Sequence, residues 1–166
     1  MLADRPQNVY LSFISTDLPL WNVIEGKASL YQKDYHKFHL LLQQENLIPA
    51  PLSANKTLVT RENKKVNKSL LWLEISPSRV ILTMQSNGSF SYRHFWERGV
   101  YGVSRYWLNG NVAENSSSFR LHNFTRFLQF DCDPFPRSVQ IDYELWSSQL
   151  KLGSYVLHLD IDRTAE

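Results

Sequence analysis

Cysteine is almost absent from this sequence of 166 residues, in which Cys132 stands alone. A single cysteine excludes an internal disulfide. No stretch approaches the roughly 18 consecutive apolar residues of a membrane-spanning helix, and residues 1–15 carry early charges without the apolar core of a signal peptide. We therefore expect a protein of the reducing cytoplasm that has no membrane span.

Glycine is scarce as well, and the six glycines are scattered along the chain rather than gathered in a phosphate-binding loop. The sequence also lacks the Gly-x-Ser-x-Gly turn of serine hydrolases, the His-Glu-x-x-His motif and any pair of cysteines. Nucleophilic and zinc catalysis thus have no recognisable signature. We expect a binding protein rather than an enzyme, with no cofactor.

Charge is nearly balanced, since the formal net charge of +2 is too small to indicate a nucleic-acid partner by itself. Its distribution is uneven: residues 79–130 hold six arginines against two glutamates, whereas residues 131–166 hold seven carboxylates against three basic residues. Opposite charges on neighbouring strands stabilise a sheet. We expect strands of these two segments to pair and to neutralise each other.

Aromatic residues, at 13%, are the one class in excess. Large rings favour β-strands and binding surfaces, so the excess indicates a sheet, a binding surface or both. Five Asn-x-Ser/Thr triplets also occur, and their asparagines indicate turns and loops; these are Asn55, Asn67, Asn87, Asn115 and Asn123.

Residues 1–50 are predicted to form a strand and one or two helices. Alternating apolar residues predict a short strand over 9–13. Asp17 as an N-cap and Gly26 as a C-terminal signal predict a helix of about two turns between them. A longer helix over 29–46 is predicted from apolar residues at helical spacing, namely Tyr31, Tyr35, Phe38 and Leu42.

The rest of the chain divides into a basic loop over 51–68 and an antiparallel meander over 69–162. Residues 56–68 contain five basic side chains and one acid, which is typical of a solvated loop. Beyond residue 69 the apolar period changes to two, and turn signals separate seven predicted strands, over 70–75, 79–84, 89–96, 100–108, 118–130, 138–146 and 154–161.

The predicted fold class is α+β in a single domain over 1–166, with the helices packed on a meander of about seven strands. Two arrangements of the meander remain open: a small closed barrel, or a sheet curled over the helix at 29–46. The order of helix and meander resembles the layout of calycin-type binding proteins, and the likeness is one of layout alone. In the hairpin of the predicted strands over 79–84 and 89–96, a three-residue turn over 86–88 would pair Met84 with Phe90 and Leu82 with Tyr92, with Gly88 in the left-handed conformation.

The candidate binding site is the run over 90–108, where arginines alternate with aromatic rings. Such a mixture suits stacked bases, an anionic conjugated ligand or a protein partner. We expect an exposed binding surface, because a core requires rings but not arginines, and because the turn after Trp96 favours an exposed indole. The predicted ligand- or partner-binding residues are Arg93, Trp96, Arg98, Arg105, Tyr106 and Trp107.

Metal sites are weakly indicated. His158, Asp160 and Asp162 share one face of a predicted strand, and convergent carboxylates suit a divalent cation, although a wet, charge-paired face gives the same pattern. His36 and His39 lie three apart on the predicted helix without a third ligand. Cys132 lies between two aspartates, which should raise the pKa of its thiol and make it a poor nucleophile.

Three functions remain open from the sequence. The first is a non-enzymatic binding or assembly protein that holds a partner protein or an anionic apolar ligand on the arginine-bearing sheet face or in a barrel mouth. The second is a nucleic-acid-binding accessory protein that uses the basic loop and the arginine-bearing strands. The third, a metal-dependent enzyme built on the C-terminal carboxylates, has the least support.

Overall fold

Every element in the described part of the chain is a β-strand. The computed structural model describes residues 6–45, 68–86, 90–108 and 117–162. Ten strands occur there: β1 (Pro6–Ser15), β2 (Trp21–Asp34), β3 (Lys37–Glu45), β4 (Lys68–Ile75), β5 (Arg79–Ser86), β6 (Phe90–Glu97), β7 (Tyr101–Leu108), β8 (Ser117–Cys132), β9 (Pro136–Ser147) and β10 (Leu150–Asp162).

The ten strands close into one antiparallel barrel. Each strand pairs with its neighbours in sequence, and β1 pairs with both β2 and β10, which closes the ring. Val9, for example, lies opposite Gly26 on β2 and Ile161 on β10. Closure removes the free edges that an open sheet would expose. Of the two arrangements that the sequence left open, the closed barrel is present, and it includes β1 to β3 as well as the meander.

The prediction of an α+β fold is wrong, because residues 29–45 form the end of β2, a turn and β3 rather than a helix. Phe38, Leu40 and Leu42 all face the interior, with exposures of 0%, 1% and 0%. These buried residues follow a period of two. Tyr31 and Tyr35, which the helical stripe required inside, are exposed. Phe38 and Leu42 are four residues apart, and this spacing fits one face of a helix as well as one face of a strand.

The short helix predicted between Asp17 and Gly26 is also absent. The chain turns at residues 16–20 and enters β2 at Trp21. Asp17 does act as a capping acceptor, but for another strand: its carboxylate accepts hydrogen bonds from the backbone N–H of Ser154 on β10 at 3.1 Å and from the hydroxyl of Ser15 at 3.0 Å. The prediction of a helix N-cap at Asp17 is therefore wrong.

The meander of seven strands over 69–162 is confirmed as β4 to β10. The register of the β5–β6 hairpin differs from the predicted one, because Met84 lies opposite Tyr92 and Leu82 opposite His94. Since the shift is by two residues, each side chain keeps its face and the apolar side still points inward. The predicted turn at Asn87 and Gly88 lies outside the described residues, as does the basic segment 56–67.

Alternation along each strand divides the wall into an inner and an outer face. At one end the interior is filled by fully or almost fully buried side chains, among them Phe38, Ile75, Val80, Trp96 and Leu128. We call the opposite end the mouth; the turns at 16–20 and 148–149 lie there. None of the described segments forms a helix long and apolar enough to cross a membrane.

Candidate functional site

A cavity of about 160 Å³ opens at the mouth of the barrel. Four tyrosines from four strands line it, with the ring centroids of Tyr143 and Tyr155 5.5 Å apart and those of Tyr92 and Tyr106 6.1 Å apart. The remaining lining residues are Phe13, Ser15, Leu20, Trp21, Asn22, Phe90, His94 and Leu145. The cavity is concave and mostly aromatic, with a few polar groups, as small-molecule sites are.

The tyrosine hydroxyls stay protonated in this environment. Burial raises the pKa of Tyr92, and it is also the first cause that raises the pKa of Tyr106 and of Tyr143. Each of these groups is therefore a neutral hydroxyl that both donates and accepts hydrogen bonds. The cavity wall offers neutral polar groups rather than anionic phenolates.

His94 lies at the base of the cavity and is almost fully buried, with 6% exposure. Burial lowers the pKa of its imidazole to about 3, because the charged form would lose its hydration. His94 is thus neutral at physiological pH. A neutral imidazole has one N–H donor and one acceptor nitrogen, so its tautomer decides what it can bind.

The hydrogen bonds around Ser104 assign that tautomer. The amide of Asn123 donates to Ser104 Oγ at 2.9 Å, and His94 Nδ1 lies 2.7 Å from the same oxygen. If Nδ1 also donated, the hydroxyl hydrogen of the fully buried Ser104 would be left without an acceptor, which is costly. With the Asn123 amide in this orientation, Ser104 donates to Nδ1 and the imidazole proton resides on Nε2.

His94 Nε2 is then a buried donor of a residue that lines the cavity. The neighbour of Nε2 is the hydroxyl of Tyr106, a lining residue, at the long distance of 3.5 Å. A hydrogen bond of that length is weak. Asn123, Ser104 and His94 thus form a relay of hydrogen bonds across β8, β7 and β6. The relay ends in an N–H group that can donate to a further acceptor.

Trp96 forms the layer below this imidazole and corrects a sequence-based prediction. The indole was expected to be exposed beside a turn, but it is 0% exposed and lies parallel to the His94 ring. Its side chain points inward because Trp96, like Tyr92 and His94, lies at every second position along β6. The interior here is wide enough for an indole. Trp96 supports the cavity from beneath and does not line it.

The structure separates the remaining predicted binding residues. Tyr106 lines the cavity, whereas Arg93, Arg105 and Trp107 lie on the outer face of β6 and β7. Arg98 is near the packed end, where its guanidinium donates to the backbone oxygen of Leu128. The six residues therefore do not form one surface. Strand alternation sends neighbours in sequence to opposite faces.

The expected neutralisation between the two charged segments occurs at one point among the described strands. Arg126 on β8 lies 3.4 Å from Glu144 on β9, and Lys151 lies 3.4 Å from the same carboxylate. Arg93, Arg105 and Arg120 instead lie directly opposite one another across β6, β7 and β8. Their charges are therefore not cancelled by the acidic segment.

The weak metal candidates lie on the outer face of β10. His158 Nε2 is 3.0 Å from a carboxylate oxygen of Asp160, which is a paired, partly exposed arrangement. Within the described ranges no group of three or more His, Cys, Asp or Glu residues is placed to hold a metal ion. His36 lies in the β2–β3 turn and His39 on the outer face of β3, so they share no helix face.

The thiol of Cys132 has the predicted direction of pKa shift. Burial is the largest cause that raises its pKa, followed by the neighbouring charges of Asp131 and Asp133. The cysteine lies at the end of β8, at the opposite end of the barrel from the cavity. It is a poor nucleophile and takes no part in the candidate site.

Sequence reasoning missed several residues of this site. Tyr143 and Tyr155 were each part of a predicted strand, but nothing in sequence indicates that β9 and β10 lie across the interior from β6. Asn123 was assigned to a turn by its Asn-Phe-Thr triplet, yet it is fully buried within β8. A buried polar residue in the apolar alternation of a strand is the signal that could have identified it.

The fold and the cavity define a ten-stranded all-β barrel with an aromatic mouth. No family model matches the sequence, and no curated protein matches it significantly. The structure resembles the crystal structure of the ywiB protein from Bacillus subtilis, with a TM-score of 0.57 and 14% identity over 96% of this chain and 94% of that chain. At this identity the likeness shows a shared fold.

Proposed function

We propose that this protein is a non-enzymatic binding protein, which holds a small, uncharged, ring-bearing molecule with a hydrogen-bond acceptor in the barrel mouth. The observation that carries the proposal is the buried, neutral imidazole of His94 at the base of the tyrosine-lined cavity, whose proton we assign to Nε2. A ligand carbonyl would accept from this donor. The aromatic walls would cover the ring of the ligand.

The size of the cavity supports a ligand with one ring. Its volume of about 160 Å³ is close to that of protein cavities of about 150 Å³ that accept benzene. Those cavities are wholly apolar and stay dry, whereas this one has hydroxyl and imidazole groups on its wall. A molecule with one polar end and one apolar end matches both parts of the lining.

The electrostatics of the lining favour a neutral ligand over the anionic one expected from the sequence. Among the described residues that line the cavity, none is cationic at neutral pH, because burial holds the pKa of His94 at about 3. An anion in this site would lose its hydration without gaining a counter-charge. The proposed ligand is therefore apolar, as the sequence predicted, but neutral rather than anionic.

The first experiment compares acetophenone with α-methylstyrene, which has nearly the same shape but a methylene group in place of the carbonyl oxygen. Binding is measured by nuclear magnetic resonance from shifts of the tyrosine and histidine ring signals. We expect acetophenone to bind about tenfold more tightly, because one additional hydrogen bond contributes about 1.4 kcal/mol to the binding free energy. No shift with either compound would contradict the proposal.

A pair of variants tests the location. Leu145→Phe adds volume to a lining residue and should weaken binding of both compounds. Leu152→Phe makes the same change at an exposed position on β10 and should leave both affinities unchanged. Equal effects from the two variants would place the compounds elsewhere.

The cytoplasmic location expected from the lone cysteine is part of the same proposal. Fractionation of cells that express the native chain, followed by detection with an antibody, tests it. Recovery in the cytoplasmic fraction together with a free Cys132 thiol is the expected result. Recovery from an exported fraction would contradict it.

A further inference from the structure

A row of arginines crosses the outer wall of the barrel, and we call it the arginine row. It consists of Arg93 on β6, Arg105 on β7 and Arg120 on β8, with Arg105 directly opposite both of the others. All three side chains are exposed. Directly opposed residues on neighbouring strands lie about 5 Å apart at Cβ, so the three charges lie close together.

Like charges in direct cross-strand register destabilise a sheet, so the row is unfavourable for folding by itself. Arg93 has one counter-charge, the carboxylate of Glu74, and its guanidinium nitrogen lies 4.0 Å from the carboxylate oxygen. Arg105 and Arg120 have no ion pair with any residue that the structure describes. The surface therefore has an uncompensated positive charge that an anionic partner would neutralise.

Aromatic side chains flank the arginine row on the same face. Trp107 follows Arg105 by two residues and lies between Ser91 and Ser118, two small neighbours that cover little of an indole. On the other side, His122 follows Arg120 by two residues and lies opposite Trp146. The pattern across the wall is ring, arginine, ring.

We propose that this outer face binds single-stranded nucleic acid, with the arginine row along the phosphates and Trp107 stacked on a base. Basic side chains that track the backbone, together with rings that stack on bases, are the general features of single-strand binding surfaces. A duplex keeps its bases stacked internally and would leave Trp107 without a partner. The surface lies outside the barrel, so this site and the mouth cavity are independent.

The test measures binding of a fluorescent oligothymidine of about 20 nucleotides, longer than the site of a single binding module, by fluorescence anisotropy at increasing salt. Contacts with three phosphates give a slope of log affinity against log salt of about −2 for a single strand. A duplex of equal length and polyglutamate serve as comparison probes. Both should bind at least about tenfold more weakly than the single strand.

Two double variants with equal net charge locate the site. Arg105→Gln with Arg120→Gln removes two members of the arginine row and should reduce affinity by tenfold or more and flatten the salt slope by about 1.4. Lys27→Gln with Lys33→Gln removes two exposed charges from β2 and should change neither quantity. Equal losses from the two pairs would show nonspecific attraction and overturn the proposal.

A third variant separates nucleic acid from an acidic protein partner. Trp107→Leu should weaken oligothymidine binding by about tenfold through loss of stacking and leave the weak polyglutamate binding unchanged. Polyglutamate binding as tight as that of oligothymidine would overturn the proposal in favour of an acidic protein partner. The absence of oligothymidine binding at low salt would overturn it outright.

Discussion

The imidazole of His94 lies parallel to the indole of Trp96, with ring centroids 5.0 Å apart and planes inclined by 7°. Trp96 is fully buried, so one face of the imidazole is closed off from water. The Nε2 atom of the same imidazole lies 3.5 Å from the hydroxyl of Tyr106, which lines the cavity. The stack contributes to the burial that keeps the imidazole neutral, and it links the core to the proposed site.

The first prediction concerns pH. The pKa of His94 is about 3 when folded and 6.5 without burial, so the unfolded chain binds a proton that the folded chain excludes. Stability from this group is complete above about pH 6.5 and falls as the pH decreases toward 3, by up to about 1.4 kcal/mol per pH unit. Urea unfolding between pH 7 and pH 5 measures the slope.

The control for that slope is His94→Phe, which keeps a ring stacked on Trp96 but cannot titrate. The variant should lose about 1–3 kcal/mol at pH 7, because Ser104 loses its partner. Its stability should then vary less between pH 7 and pH 5 than that of the unmodified protein. Identical slopes would show that other groups cause the acid sensitivity.

The second prediction concerns the tautomer of His94. Long-range proton–nitrogen correlation spectra at pH 7 should show Nε2 protonated and Nδ1 bare, as the Asn123–Ser104 relay requires. In Ser104→Ala the donor to Nδ1 is lost, and the spectrum should shift toward a mixture of tautomers. A protonated Nδ1 in the unmodified protein would mean that the cavity requires a ligand donor rather than an acceptor.

The third prediction compares two glycines. A Cβ at Gly102 would collide with the backbone oxygen of Phe95 and lie 2.9 Å from Asn123 Oδ1. Gly102→Ala should therefore cost about 3 kcal/mol or more. Gly99 has a φ of +73° with open space around it, so Gly99→Ala should cost only about 1–2 kcal/mol, from the left-handed backbone.

Denaturant unfolding of the two alanine variants gives the comparison. A smaller loss for Gly102→Ala than for Gly99→Ala would show that β7 does not approach β6 and β8 as closely as described. The measurement also bears on the hydrogen bonds around Ser104, because Asn123 both donates to Ser104 and lies next to Gly102.

The fourth prediction separates strand from helix in the segment where the sequence pattern is ambiguous. Leu40 faces the interior at 1% exposure and its neighbour Leu41 lies on the outer face of β3. Leu40→Ala should lose about 2–5 kcal/mol, whereas Leu41→Ala should lose less than about 1.5 kcal/mol. Comparable losses at both positions would contradict the alternation of β3.

The seven strands of the meander were predictable because local alternation and turn residues are visible in the chain itself. The first half was misassigned because Phe38 and Leu42 satisfy a helical stripe as well as a strand pattern. Only the partner strands decide between the two. Leu42 lies opposite Ala28 on β2 and Leu71 on β4, and these pairings complete the barrel.

The candidate site likewise depends partly on local patterns in the sequence and partly on strand pairing in the structure. Alternation along one strand is visible in the sequence and separates Arg93 and Arg105 from Tyr106, yet the predicted binding surface combined residues of both faces. Tertiary structure decided which strands meet: it aligned Arg120 with Arg105, and it brought Tyr143 and Tyr155 across the interior from His94. Periodicity acts between residues two apart in the chain, whereas strand register and barrel closure join residues that the sequence separates by tens of positions.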